Sequence, residues 1–138
     1  MFKQILTGYD GSEPALRAFA LAAGLACTYG AALTVLAIAR PPEGGADVET
    51  EAVIESSRQY HEKLLQELAA RPEAQGVQAE YRVAVGHPAE QIIAHAEAGG
   101  ADLIVIGHRG RGLIQRFLMG SISKQVVSHA PCAVLITK

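Results

Sequence analysis

Residues 107–121 gather four glycines (Gly107, Gly110, Gly112 and Gly120) and three arginines (Arg109, Arg111 and Arg116), and end on Ser121. That mixture suits anion binding. Glycine lets backbone N–H groups approach an oxyanion with no Cβ in the way, and arginine adds formal charge. The stretch follows the apolar run Leu103-Ile104-Val105-Ile106 and precedes Ser121-Ile122-Ser123-Lys124-Gln125-Val126-Val127, which reads as a helix start. The first amides of a helix have no internal partner, and the helix dipole adds about half a positive charge there. The competing reading is a surface loop whose glycines only make turns. Two better-known phosphate motifs are excluded. No G-x-x-x-x-G-K-[ST] run exists, and G-x-G-x-x-G begun at Gly110 puts Gln115 where the third glycine belongs.

Other reactive side chains form no comparable pattern. His61, His87, His95, His108 and His129 match no zinc-type spacing such as H-E-x-x-H. His108 has no nucleophile partner evident, and no catalytic residue is assigned. Cys27 and Cys132 stand far apart among apolar neighbours, so two buried thiols are expected rather than a disulfide.

The elements that must position the loop follow from periodicity. Residues 2–8 read as a first strand. Tyr9-Asp10-Gly11-Ser12 is the turn after it, with Ser12 as N-cap and Glu13-Pro14 in the first helical turn. Leu16, Phe19, Ala20, Ala23 and Cys27 recur at helical spacing, and Gly30 suits the C-cap. Residues 32–39 are a nearly continuous apolar strand, as expected when both sheet faces are covered. The Pro- and Gly-rich residues 40–47 read as a connection. A helix is expected over 49–70, with Val53, Tyr60, Leu64 and Leu68 on its inner stripe and His61 and Leu65 at the stripe's edge. Residues 77–85 alternate like an edge strand, and Pro88 opens a third helix that Gly99-Gly100 ends. Strand four, the glycine-rich loop, helix four and a last apolar strand, Ala133 to Thr137, complete the chain. Alternation of strand and helix throughout 1–138 predicts one α/β domain built on an open five-stranded parallel sheet with helices on both faces.

Composition bounds the function. Of the 138 residues, 49% are hydrophobic and 19% charged, as in an ordinary globular domain. The net charge of -2 argues against nucleic acid as a partner. No apolar run reaches the roughly 18 residues of a membrane span. The start, Met1-Phe2-Lys3-Gln4-Ile5, lacks a signal-peptide pattern, so a cytoplasmic location is expected.

The glycine-rich stretch also has the form G-x-x-G, nine residues, then G-S: Gly107, Gly110, Gly120, Ser121. This resembles the ATP-binding signature of the universal stress protein family. The resemblance extends over the chain, through Ile5-Leu6-Thr7-Gly8-Tyr9-Asp10-Gly11-Ser12, Gly86-His87-Pro88-Ala89-Glu90-Gln91-Ile92, Ala101-Asp102-Leu103-Ile104-Val105-Ile106-Gly107 and Ala130-Pro131-Cys132-Ala133-Val134-Leu135-Ile136. It implies a Rossmann-like strand order 3-2-1-4-5. Ligands of such sheets bind beyond the strand ends where the winding reverses, here between strands one and four. It further implies that Gly8 and Tyr9 border an adenine, and that the backbone of Ile38 bonds the adenine edge. Asp10 would hold the ribose or a metal near the phosphates; read without the resemblance, Asp10 caps the first helix. Gly107 and Gly110 would let the loop close over the ligand. Gly120, Ser121, Ile122 and Ser123 would supply amides and hydroxyls to phosphates. Arg109 and Arg111 occupy variable positions of the signature, where an ionic role and a solvated one are equally open.

The expected ligand is thus ATP, with or without Mg²⁺, in an energy-state sensing regulatory module with at most slow hydrolysis. The alternative is a nucleotide-independent dimeric module that regulates a partner protein. The family resemblance implies a homodimer through Ala133 to Thr137 in either case. An adenylating enzyme is a weaker reading, because the stretch Thr7-Gly8-Tyr9-Asp10-Gly11-Ser12 lacks the Ser-Gly-Gly-x-Asp-Ser loop of such enzymes.

Overall fold

The computed structural model describes residues 1–42, 48–108 and 120–138. Residues 43–47 of the expected connection, and Arg109, Gly110, Arg111, Gly112 and Arg116 of the glycine-rich loop, lie outside them.

Five strands form one parallel sheet: β1 (Gln4–Gly8), β2 (Ala32–Ala39), β3 (Ala79–Val85), β4 (Leu103–Gly107) and β5 (Ala133–Thr137). Their order is β3-β2-β1-β4-β5. Each parallel pairing requires a crossover, which the helices supply: α1 (Glu13–Tyr29), α2 (Val48–Ala69), α3 (Pro88–Gly99) and α4 (Ser121–His129). Successive side chains on a strand point to opposite faces, so two cores form. Ile5, Leu33, Val35, Leu103 and Val105 pack under α1 and α2. Leu6, Leu36, Ile104 and Ile106 pack under α3 and α4. The chain therefore reverses its winding between β1 and β4, as the strand order predicts. Among the described residues no helix is long and apolar enough to cross a membrane.

The β1–β4 seam is tied at both ends. Asp102 accepts the amides of Lys3 and Gln4 at 2.8 and 3.2 Å. The buried Thr7 hydroxyl donates to the Val105 carbonyl at 2.8 Å. β1 begins at Gln4, two residues later than the expected Phe2. The Lys3 amide goes to a carboxylate, and the Phe2 ring packs edge-on against Tyr29 with ring centroids 5.8 Å apart.

α1 starts where the sequence indicates. The Asp10 carboxylate accepts the Ser12 amide at 2.9 Å, and the Ser12 hydroxyl accepts that of Ala15 at 3.3 Å. Gly30 closes the helix in the left-handed conformation. Its buried face, however, is Ala15, Ala18, Phe19, Ala22, Ala23 and Ala26. That face is rotated away from Cys27, which is exposed, while Cys132 is half-buried. The expectation of two buried thiols is therefore overturned. Burial first, and the Asp102 carboxylate second, push the Cys132 thiol up from its ordinary value, away from the reactive thiolate form.

Two further expectations shift. Val53 and Tyr60 of α2 are exposed; the inner stripe runs instead through Ser57, His61, Leu64, Leu65 and Leu68. A short 3-10 turn, Pro72–Ala74, precedes β3 and has no counterpart in the sequence reading.

The alanine face lets α1 lie close to the sheet, and Gly107 shows how close. A Cβ there would stand 2.5 Å from both the carbonyl carbon and the oxygen of Pro14, and 2.9 Å from the Ala15 nitrogen. Those atoms are backbone and cannot rotate aside. Gly107→Ala should cost about 1–3 kcal/mol, as overpacking does, and lower the thermal midpoint by roughly 3–10 °C. Gly24→Ala, on the same helix with nothing within 4 Å of the new methyl, should instead raise it slightly. Thermal unfolding of both variants checks this; an unchanged midpoint for Gly107→Ala would contradict the contact.

Candidate functional site

The β1–β4 reversal opens a crevice of about 820 Å³ at the carboxyl ends of the strands. This lies in the upper part of the roughly 300–1,000 Å³ range of small-molecule sites. Gly8, Tyr9 and Asp10 reach it from the end of β1, and Ile38 from the end of β2. Gly107 reaches it from the end of β4, and Gly120, Ser121, Ile122 and Ser123 from the start of α4. Residues more than ninety positions apart thus meet in one place. Arg109, Gly110 and Arg111, expected on the same site, lie outside the described residues.

The two ends of the crevice differ chemically. At one end is α4. Its N-cap, Gly120, offers no side-chain cap, and its first turn carries no acidic residue. The first amide bonded within the turn is that of Lys124, which donates to the Gly120 carbonyl at 3.0 Å. The amides of Ser121, Ile122 and Ser123 precede it, in the positions an α-helix leaves without internal acceptors. α1 is the contrast: Ser12 caps it and Glu13 occupies its first turn. α3, whose Pro88 also lines the crevice, has no side-chain cap but carries Glu90 in its first turn; among the described residues only α4 presents to the crevice a helix start with neither feature, and it carries Lys124 on the crevice wall.

At the other end is the β2 terminus. β1 leaves the sheet after the Tyr9 amide bonds the Leu36 carbonyl at 2.9 Å. Backbone groups two residues apart on a strand point the same way. The Ile38 amide and carbonyl therefore face the side that β1 has vacated, where the crevice lies. This end offers a donor and an acceptor in fixed geometry, the pattern that a heteroaromatic edge can match.

Between the two ends stands the β1–α1 turn. Asp10 is exposed and its carboxylate accepts the Ser12 amide, so its helix-supporting role is real, and the residue also lines the crevice. Burial is the main cause that pushes the Tyr9 phenol up; the Arg71 guanidinium opposes it, while Asp10, Glu67 and Tyr60 add to it. Tyr9 is thus a neutral hydroxyl near neutral pH. Gly107 has a structural reason beyond loop closure, since its missing Cβ admits Pro14.

Sequence reasoning missed part of the wall. Arg40, Ser57, His61, Ile92 and Lys124 also line the crevice. For Ser57 and His61 the signal was the helical phase of α2: a stripe drawn through Leu65 and Leu68 rather than Val53 and Tyr60 includes both. Among the described residues no group of three or more His, Cys, Asp or Glu side chains could hold a metal by itself.

Known proteins agree with this architecture. A universal stress protein of Thermus aquaticus is 39% identical over 140 residues, covering all of both chains. The solved structure of the universal stress protein UspA from Lactobacillus plantarum superposes with a TM-score of 0.82 at 24% identity, over 99% of this chain and 97% of that one, and so shares the fold. A universal stress protein solved in complex with cAMP matches with a TM-score of 0.76 at 27% identity, over 99% of this chain and 97% of the other. The family model of the universal stress proteins matches residues 1–138. This chain belongs to the universal stress protein family.

Proposed function

We propose that the crevice binds an adenine nucleotide, ATP with or without Mg²⁺, and that the protein is a regulatory module reporting nucleotide state to a partner protein in the cytoplasm. The carrying observation is the pairing of two complementary ends in one crevice, the uncapped start of α4 and the outward-facing backbone of Ile38. Phosphates suit the first and an adenine edge suits the second. A related protein solved with cAMP supports the ligand class. Each anion–dipole contact is worth only about 0.3–1 kcal/mol, so affinity rests on several donors acting together: the amides of Ser121 to Ser123, the Lys124 ammonium, and Arg109 and Arg111 from the loop. Hydrolysis, if it occurs, is slow on this reading, far below the roughly 1–100 s⁻¹ of kinases.

A partner surface is also at hand. β5 is an edge strand, and Leu135 is 37% exposed on it. An apolar edge with unpaired backbone groups favours pairing with another chain. A homodimer through Ala133–Thr137 is the form this proposal takes, and such a dimer would also serve the nucleotide-independent reading. Val134 and Ile136 pack inward against the second core, so Leu135 is the residue to change.

Isothermal calorimetry with Mg²⁺ and ATP should show micromolar binding that Gly110→Val combined with Gly120→Val abolishes while the fold persists. A folded wild-type protein that binds no adenine nucleotide would overturn the ligand reading. Separately, Leu135→Arg should convert a dimer to a monomer in light scattering; an unchanged mass would count against the β5 interface.

A further inference from the structure

α2 contributes to the crevice in a way that neither the glycine-rich motif nor the strand ends account for. Leu65 and Leu68 anchor its last turns in the first core. The same stripe continues toward the helix start through Leu64, His61 and Ser57. Leu64 lies on the β1–α1 turn, with its methyl carbons 3.4 and 3.5 Å from where a Cβ on Gly11 would stand. Gly11 has φ of +85° and belongs to the turn that carries Asp10. One turn further along, His61 and Ser57 form part of the crevice wall.

The hydrogen bonding of His61 fixes what it offers. Its Nδ1 stands 2.7 Å from the Ser57 carbonyl oxygen. A carbonyl can only accept, so Nδ1 carries the proton and, in the neutral ring, Nε2 carries the lone pair. The assignment follows from the partner. The Ser57 hydroxyl stands 3.5 Å from the same Nδ1. The Tyr60 ring meets the imidazole edge-on at 5.2 Å, which limits its rotation. The result is a half-buried, pre-oriented hydrogen-bond acceptor on a wall whose opposite end, at α4, is made of donors.

We infer that His61, oriented by the Ser57 carbonyl, is a binding residue for the nucleoside moiety of the ligand. Its Nε2 accepts a hydrogen bond from a donor on that moiety, either the exocyclic amine of adenine or a ribose hydroxyl. A lone pair would repel phosphate oxygens, so the contact belongs to the nucleoside end. The placement agrees: α2 packs in the layer over β2 and β3, beside the β2 terminus with Ile38 and Arg40, while the phosphate-directed donors lie across the crevice on α4. This inference rests on the adenine-nucleotide reading and adds a side-chain contact that selects the nucleoside.

The test is calorimetry of wild type, His61→Phe and His61→Gln with ATP, 2′-deoxy-ATP, 3′-deoxy-ATP and inosine triphosphate. In the wild type the analogue lacking the relevant donor should bind about three- to tenfold more weakly, the worth of one hydrogen bond. Inosine triphosphate identifies the amine, and a deoxy analogue identifies the hydroxyl. His61→Phe should lose the same factor for ATP, and its discrimination between ATP and that analogue should fall by that factor, leaving only what the backbone of Ile38 and the other wall groups supply. His61→Gln, which keeps an acceptor, should retain most of both. In the unaltered protein, ATP should also shift the ¹⁵N resonance of Nε2. A wild type that binds ATP while His61→Phe keeps both affinity and discrimination, or while the Nε2 resonance stays unmoved, overturns this inference alone. A wild type that binds no adenine nucleotide overturns the parent reading with it.

Discussion

Much of this molecule depends on how closely α1 approaches the sheet at the β1–β4 seam. Gly107 has no side chain, and the Pro14 carbonyl occupies the space where one would be. An alanine face on α1 continues the close approach along the helix. The helix start is thereby set against the end of β4, and the Tyr9–Ser12 turn is held at the mouth of the crevice. The Thr7–Val105 bond and the Asp102 carboxylate keep the two strands in register beneath it. A bulkier residue at Gly107 would push α1 away and take Asp10 with it, so packing and site geometry are one constraint here.

Given that frame, the chemistry follows from which backbone groups the fold leaves unused. Where β1 departs, Ile38 keeps a donor and an acceptor turned toward the crevice. Where α4 begins, the cap is a glycine and the first turn holds no acid. α1 begins beside the same crevice but is closed by Ser12, Glu13 and the Asp10 turn. α3, whose Pro88 also lines the crevice, has no side-chain cap but carries Glu90 in its first turn, so the three helix starts differ in electrostatic character. Among the described residues the start of α4 is the one that combines an uncapped glycine N-cap with no acid in its first turn.

The sequence carried much of this, because the signals involved are local. Continuous apolar runs mark β2 and β5 to the residue, and Ser12, Pro14, Gly30 and Pro88 mark helix ends through their own backbone chemistry. The crevice-lining residues from β1, β2, β4 and α4 were legible because they adjoin those ends. What was not legible depends on rotation about a helix axis. On α1 the apolar set is broad enough to allow several faces, and the packed one excludes Cys27. On α2, Val53 and Tyr60 matched helical spacing yet face solvent, while Ser57, polar and unremarkable by pattern, and His61, expected only at the stripe's edge, line the crevice. Burial of Leu65 and Leu68 in the first core and the contact of Leu64 with the Gly11 turn set that phase.

On the proposed reading the crevice holds an adenine nucleotide lengthwise, base at the β2 terminus and phosphates at α4. The most direct test of that reading is a backbone amide NMR titration of the protein with ATP and Mg²⁺. The predicted result is a saturable set of shifts confined to the end of β1 from Gly8 to Asp10, to Ile38, and to the first turn of α4 from Ser121 to Lys124. Amides that stay unmoved at saturating nucleotide, or shifts that gather along β5 and leave Ile38 and Ser121 unchanged, would contradict it.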